Sequence, residues 1–124
     1  MTYPLTQTRL DEAVLAQFTG SENWYRHGLV RSVRFTDGAK YVADAAQAYW
    51  LIDDIAFAQT ERVVKAEEFQ VWKLTVHPDA SAGLSCEDGN GREVWRKSLT
   101  FTTFPPQGIE LWFACGVIYL PSEH

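Results

Sequence analysis

Cysteine is scarce in this sequence: Cys86 and Cys115 are the whole supply among 124 residues. Both fall in segments patterned as strand or strand end, and no apolar leader precedes the first helical pattern. The expected setting is therefore cytoplasmic, with reduced, unpaired thiols rather than a secreted disulfide framework. Long apolar runs are missing too. No window approaches the roughly 18 consecutive apolar residues of a membrane span, and the best run, Ala45 to Ala58, is broken by Asp53 and Asp54, so no membrane partner is expected. Nor does a Pro-, Gly- or Ser-rich stretch mark a place where two cores could divide, which makes residues 1–124 one expected domain.

The usual signatures of a reaction centre are absent as well. Zinc needs clustered Cys, His or carboxylate ligands, yet Cys86, Cys115, His27, His77 and His124 show no short paired spacing. Asp88-Gly89-Asn90-Gly91 resembles part of a calcium loop, but aligning Gly91 as the loop glycine puts Cys86 at the first position and Lys97 at the twelfth, where oxygen ligands are required. A tight turn explains the motif better. There is no Gly-x-Ser-x-Gly elbow and no nucleophile in a recognisable strand-to-helix turn. Asp53 and Asp54, adjacent on a helix, point about 100° apart and would not converge on one substrate. No metal, no cofactor and no catalytic residue is expected.

What is present is material for a core. Hydrophobic residues make up 46% of the chain and aromatics 14%, with five tryptophans and seven phenylalanines, enough apolar surface to offset the entropy of ordering the backbone. A net charge of −5 argues against broad adhesion to nucleic acid or anionic membrane. The charge is uneven, however: Arg26, Arg31, Arg34 and Lys40 face only Asp37 between residues 26 and 40.

The pattern along the chain predicts an α+β fold. Leu10, Val14 and Phe18 repeat at helical spacing over Thr8 to Phe18, with Thr8 as N-cap and Gly20 past the end. Leu29 to Thr36 reads as a strand running into Asp37-Gly38, a hairpin turn, with Tyr41 to Ala43 returning. Asp44, with Gln47 closing a capping box, opens a second helix that runs to Gln59. Its stripe of Ala48, Leu51, Ile52, Ile55 and Ala56 packs on a sheet, while Trp50 and Phe57 lie nearly opposite. Strands then follow at Phe69 to His77, Gly83 to Glu87, Val94 to Thr103, Ile109 to Ala114 and Val117 to Leu120. The expected architecture is an antiparallel sheet, hairpin plus C-terminal meander, with two helices, the second across one face.

Several blocks occur in one order: Phe18-Thr19-Gly20-Ser21-Glu22-Asn23-Trp24-Tyr25-Arg26-His27, Thr36-Asp37-Gly38 through Ala48-Tyr49-Trp50-Leu51-Ile52-Asp53, Phe69-Gln70-Val71-Trp72, Glu87 to Gly91, and Leu120-Pro121-Ser122-Glu123. As a set they resemble a family of small bacterial proteins, also found on phage and plasmid DNA, catalogued as a domain of unknown function. In that family the last hairpin usually turns on Asp-Gly where this chain has Cys115, and an aromatic residue is common where His124 stands. The resemblance implies a bacterial or mobile-element setting and supplies no activity.

Two segments are candidate binding surfaces. Trp24, Tyr25, Arg26 and His27, after Glu22 and Asn23, put aromatics, a cation and an imidazole outside the expected regular elements, where binding residues concentrate. The alternative is that Trp24 and Tyr25 plug the core while Arg26 and His27 bond backbone carbonyls. Trp50 and Phe57 form an exposed aromatic patch rimmed by acids, suited to a protein partner, unless the first helix covers them as core. The leading expectation is a non-enzymatic accessory protein that binds another protein, a class that includes inhibitors of a host system. The alternative is nucleic-acid contact through Arg26, Arg31, Arg34 and Lys40, with Trp24 or Tyr25 stacking on a base.

Overall fold

The computed structural model describes residues 9–20 and 23–124. The expected N-cap Thr8 and the candidate Glu22 lie outside the described residues. The fold is α+β. In chain order the elements are α1 (Glu12–Leu15), β1 (Trp24–Arg26), β2 (Arg34–Thr36), α2 (Asp37–Ala45), α3 (Tyr49–Ala58), α4 (Arg62–Lys65), β3 (Phe69–Val76), β4 (Ala82–Asp88), β5 (Glu93–Leu99), β6 (Ile109–Ala114) and β7 (Val117–Tyr119), closed by a 3₁₀ turn at Pro121–Glu123.

The strands form one seven-stranded sheet in the order β1-β2-β7-β6-β3-β4-β5. Every neighbouring pair is antiparallel except β2 and β7, which run parallel with Arg34 beside Val117 and Phe35 beside Ile118. The sheet is thus mixed rather than wholly antiparallel. The expected C-terminal meander departs from a meander too, because β6 returns to the far side of β3 instead of pairing with β5. Strand pleating sends Gln70, Trp72, Leu74, Leu84, Cys86, Leu111, Phe113, Ile118 and Phe35 to one face. All nine are buried, and the eight besides Gln70 form one cluster with Val42 of α2 and Leu51, Ile52 and Ile55 of α3. The stripe Ala48, Leu51, Ile52, Ile55 and Ala56 is buried as its spacing predicts.

The N-terminal half departs most from expectation. Asp37-Gly38 is no hairpin turn: Thr36 accepts the Ala39 N–H on its hydroxyl, 3.2 Å, and caps a helix that contains Tyr41 to Ala43. Gly38, Ala39, Val42 and Ala43 bury one side of that helix, so its apolar spacing outweighs the turn chemistry of Asp-Gly. A hairpin does exist one connection earlier, where β1 pairs with β2 around the loop 27–33. Asp44 caps nothing, since it lies near the end of α2 and bonds Lys40 and Tyr49. The first helix is shorter than expected, beginning after Asp11, whose carboxylate accepts the Ala13 N–H. The residues flanking it meet α2, Asp11 N–H donating to the Tyr41 hydroxyl at 3.3 Å and Phe18 lying against the Tyr41 ring at 5.6 Å.

Candidate functional site

The segment after β1 is shaped by one imidazole. His27 is buried, accepts the Leu29 and Val30 N–H groups on Nδ1 at 3.2 and 2.9 Å, and meets Asp53 of α3 through Nε2 at 2.7 Å. Two donors on Nδ1 require the proton on Nε2, which therefore donates to the carboxylate. Both nitrogens are engaged, so His27 clamps the loop to α3 and has no lone pair left for a proton transfer. It bonds backbone N–H groups and a carboxylate, not backbone carbonyls. Arg26 does bond a carbonyl, donating to Arg31.

The clamp pushes apolar side chains outward. Leu29 is 78% exposed, Phe57 44% and Tyr49 44%. Phe57 meets the His27 ring edge-on at 5.5 Å. Leu29 and Tyr49 line a cavity of about 280 Å³ together with Phe35, Ile52 and Asp53. Tyr49 donates to Asp44 at 2.6 Å, which raises its phenol pKa, while hydrogen bonds from Lys40 and Tyr49 hold the Asp44 carboxyl below its ordinary value. Leu29, Tyr49 and Phe57 are thus exposed around the His27–Asp53 pair, Asp53 lying one helical turn from both Tyr49 and Phe57, with Asp44 and Arg26 beyond them.

Of the candidate residues, the structure brings His27 and Phe57 together here, and Arg26 lines the cavity beside His27. Trp50 is half-buried and packed against the core. Tyr25 is also half-buried, stacked on Phe35 at 5.6 Å, and donates to Asp37 at 3.0 Å, a bond that raises its pKa. Trp24 is 53% exposed on the sheet face opposite the helices, beneath the Arg34 guanidinium. The segment expected outside regular structure is in fact strand β1. The four cations do not share a surface either. Arg26 and Arg34 lie on the open sheet face, Arg31 on the loop, and Lys40 on α2 over the Tyr25 ring, paired with Asp44 at 2.8 Å.

Sequence reasoning missed Leu29 and Tyr49. Leu29 reads as the start of a strand by its sequence, and the one cue against that is Gly28 beside it. Asp53 and Asp54 diverge as their helical geometry requires, Asp53 to His27 and Asp54 to Lys97 of β5 at 3.0 Å. Asp88 accepts the Asn90 and Arg92 N–H groups, so its carboxylate holds the β4–β5 turn. Among the described residues no three His, Cys, Asp or Glu side chains are grouped as metal ligands would be. Also among them, no helix is long and apolar enough to cross a membrane.

Residues 9–124 match the model of a family described as a family of unknown function (DUF6876). No curated protein and no solved structure matches the chain.

Proposed function

Because the chain belongs to the DUF6876 family, which assigns it no activity, we propose from its surface that it is a non-enzymatic protein-binding module. The observation that carries this is the exposure of Leu29, Tyr49 and Phe57 around the His27–Asp53 pair. Large apolar side chains exposed on one surface around an internally paired carboxylate suit a protein interface. His27 and Asp53 hold the loop in place before binding, which lowers the ordering cost of association. The setting we infer is the cytoplasm of a bacterium, with the protein an accessory of the host or of its mobile elements. Inhibition of a host system is one role such a module can play. Dispersal of the four cations over different surfaces favours a protein partner over nucleic acid.

The test is affinity capture from bacterial extract with wild type and with Leu29→Ser and Phe57→Ser, each treated with nuclease. A nuclease-resistant protein partner held by wild type and lost by both variants, with melting temperatures close to wild type, is expected. Capture that survives both substitutions, or that disappears with nuclease, rejects this reading.

A further inference from the structure

The imidazole that holds the loop after β1 is a group whose hydrogen-bonding role a single proton reverses. His27 Nδ1 accepts the Leu29 and Val30 N–H groups at 3.2 and 2.9 Å, while Nε2 donates to Asp53 at 2.7 Å. That set of bonds exists only for the neutral ring. A proton on Nδ1 replaces the acceptor with an N–H that faces two other N–H donors, and both loop amides lose their partner. The bond to Asp53 survives, because Nε2–H donates in either form. Protonation therefore breaks the clamp on the loop side alone and leaves the ring anchored to α3.

Little else holds the first half of this loop. Leu29 is 78% exposed, and a Cβ built on Gly28 would meet nothing within 4 Å. The other bonds of the loop fall at its base or in its second half: His27 N–H to Val33 O and Val33 N–H to Val30 O, both 2.9 Å, and the Arg26 guanidinium to the Arg31 carbonyl. Among the described residues, few titratable or charged groups face the ring. Asp53 and Tyr49 do so from α3, the Tyr49 hydroxyl being turned to Asp44, and Arg26 does so from β1. From β2 the neighbour is Phe35, and from the far side of α3 it is the Phe57 ring. With the ring itself 6% exposed, the two amides regain a partner by turning to water.

We propose that His27 makes the β1–β2 loop a proton-operated clamp: neutral, it fixes Leu29 at the surface; protonated, it stays on Asp53 and releases Gly28, Leu29 and Val30. This gives the surface around Leu29 a means of regulation, and for that consequence it rests on the protein-binding reading. The closed loop binds one proton fewer than the open one, so closure weakens as pH falls, by up to about tenfold per pH unit.

The test is an NMR titration of the whole chain from about pH 8 to about pH 5, the interval in which a free imidazole changes charge. It follows the His27 ring nitrogens together with hydrogen-exchange protection, taken relative to the unfolded chain at each pH. The expected result is conversion of the ring from its Nε2–H form to the imidazolium, with Leu29 and Val30 losing protection by about tenfold or more in the same step. Amides of β3 and β6 should keep theirs. In His27→Asn the amide oxygen can accept from the loop and gains no proton, so protection should not change with pH. If that variant does not fold, the double variant His77→Gln with His124→Gln decides, since it leaves His27 as the only imidazole of the three and should release the loop as wild type does. A ring that stays neutral throughout, amides that stay protected beside an imidazolium, release that persists in His27→Asn, or release lost in the double variant overturns the proposal. No partner enters these measurements; capture with Leu29→Ser at about pH 8, where the loop is closed, decides the protein-binding reading separately.

Discussion

At the residue scale, burial decides which reactive-looking side chains are available. The His27 imidazole has both nitrogens occupied, one by two backbone amides and one by Asp53. The two thiols differ in the same sense. Cys86 is fully buried under Trp72 and Trp95, and burial, chiefly, with Glu67, Glu87 and Asp88 adding to it, pushes its pKa up to about 12. Cys115 is exposed at the β6–β7 turn with φ 54°. Alkylation of the folded protein should therefore place one adduct on Cys115, with Cys86 reacting only after denaturant is added. Mass spectrometry of the tryptic peptides reads this directly, and equal labelling of both, or an intact internal disulfide, contradicts it. That Cys86 packs as a small hydrophobe was legible from its strand pattern. That His27 is a clamp was not, because its partner Asp53 lies 26 residues away.

At the element scale, α2 shows how a distant segment can decide local structure. Thr36 accepts from Ala39 and donates to Glu123 Oε1 at 2.7 Å, while Gly38 and Leu120 donate to the same carboxylate at 3.2 and 2.9 Å. A negative charge beside the first turn also suits the helix dipole. The block Leu120-Pro121-Ser122-Glu123 is therefore a cap for Thr36-Asp37-Gly38. In an ordinary helix Gly→Ala gains about 0.5–1 kcal/mol. Here a Cβ on Gly38 would run into the Glu123 carboxylate and lie 2.7 Å from Leu120 Cδ1. Gly38→Ala should thus lower the urea midpoint, and Glu123→Ala should cost about 1–3 kcal/mol through its orphaned donors. A Gly38→Ala midpoint above wild type would refute the cap. The break between α2 and α3 was equally hidden. Ala48 N–H closes on Ala43 O across Gln47, whose φ is 50°, a conformation that glycine usually advertises.

At the scale of the whole molecule, helices cover one sheet face and leave the other open. The covered face leads at its edge to the exposed Leu29, Tyr49 and Phe57, and the open face carries Trp24, Arg26, Arg34 and Tyr119. Residues on opposite faces that share no partner should act separately. The stability changes of Trp24→Ala and Phe57→Ala should therefore add to within about 0.5 kcal/mol in the double variant. Chemical denaturation of the two single variants and the double variant measures this, and a larger coupling would mean that the two faces communicate through the β1–β2 pair.

The sequence alone determined the character of its elements. Alternating apolar residues marked β3 to β7 to within a few residues, β6 to its exact ends, and the stripe from Ala48 to Ala56 marked the buried side of α3. Turn residues placed the β4–β5 connection, and the order of blocks pointed to the family. These are properties of neighbours in the chain, where side-chain period reports which side of an element is apolar. The tertiary structure decided the rest. It chose helix over hairpin at Asp37-Gly38, joined β2 to β7 in parallel, set Arg26 opposite Arg34 and left Leu29 outside. Each of those outcomes depends on contacts between distant segments, such as Thr36 with Glu123 across 87 positions, and local periodicity carries no information about which distant segment will supply the partner.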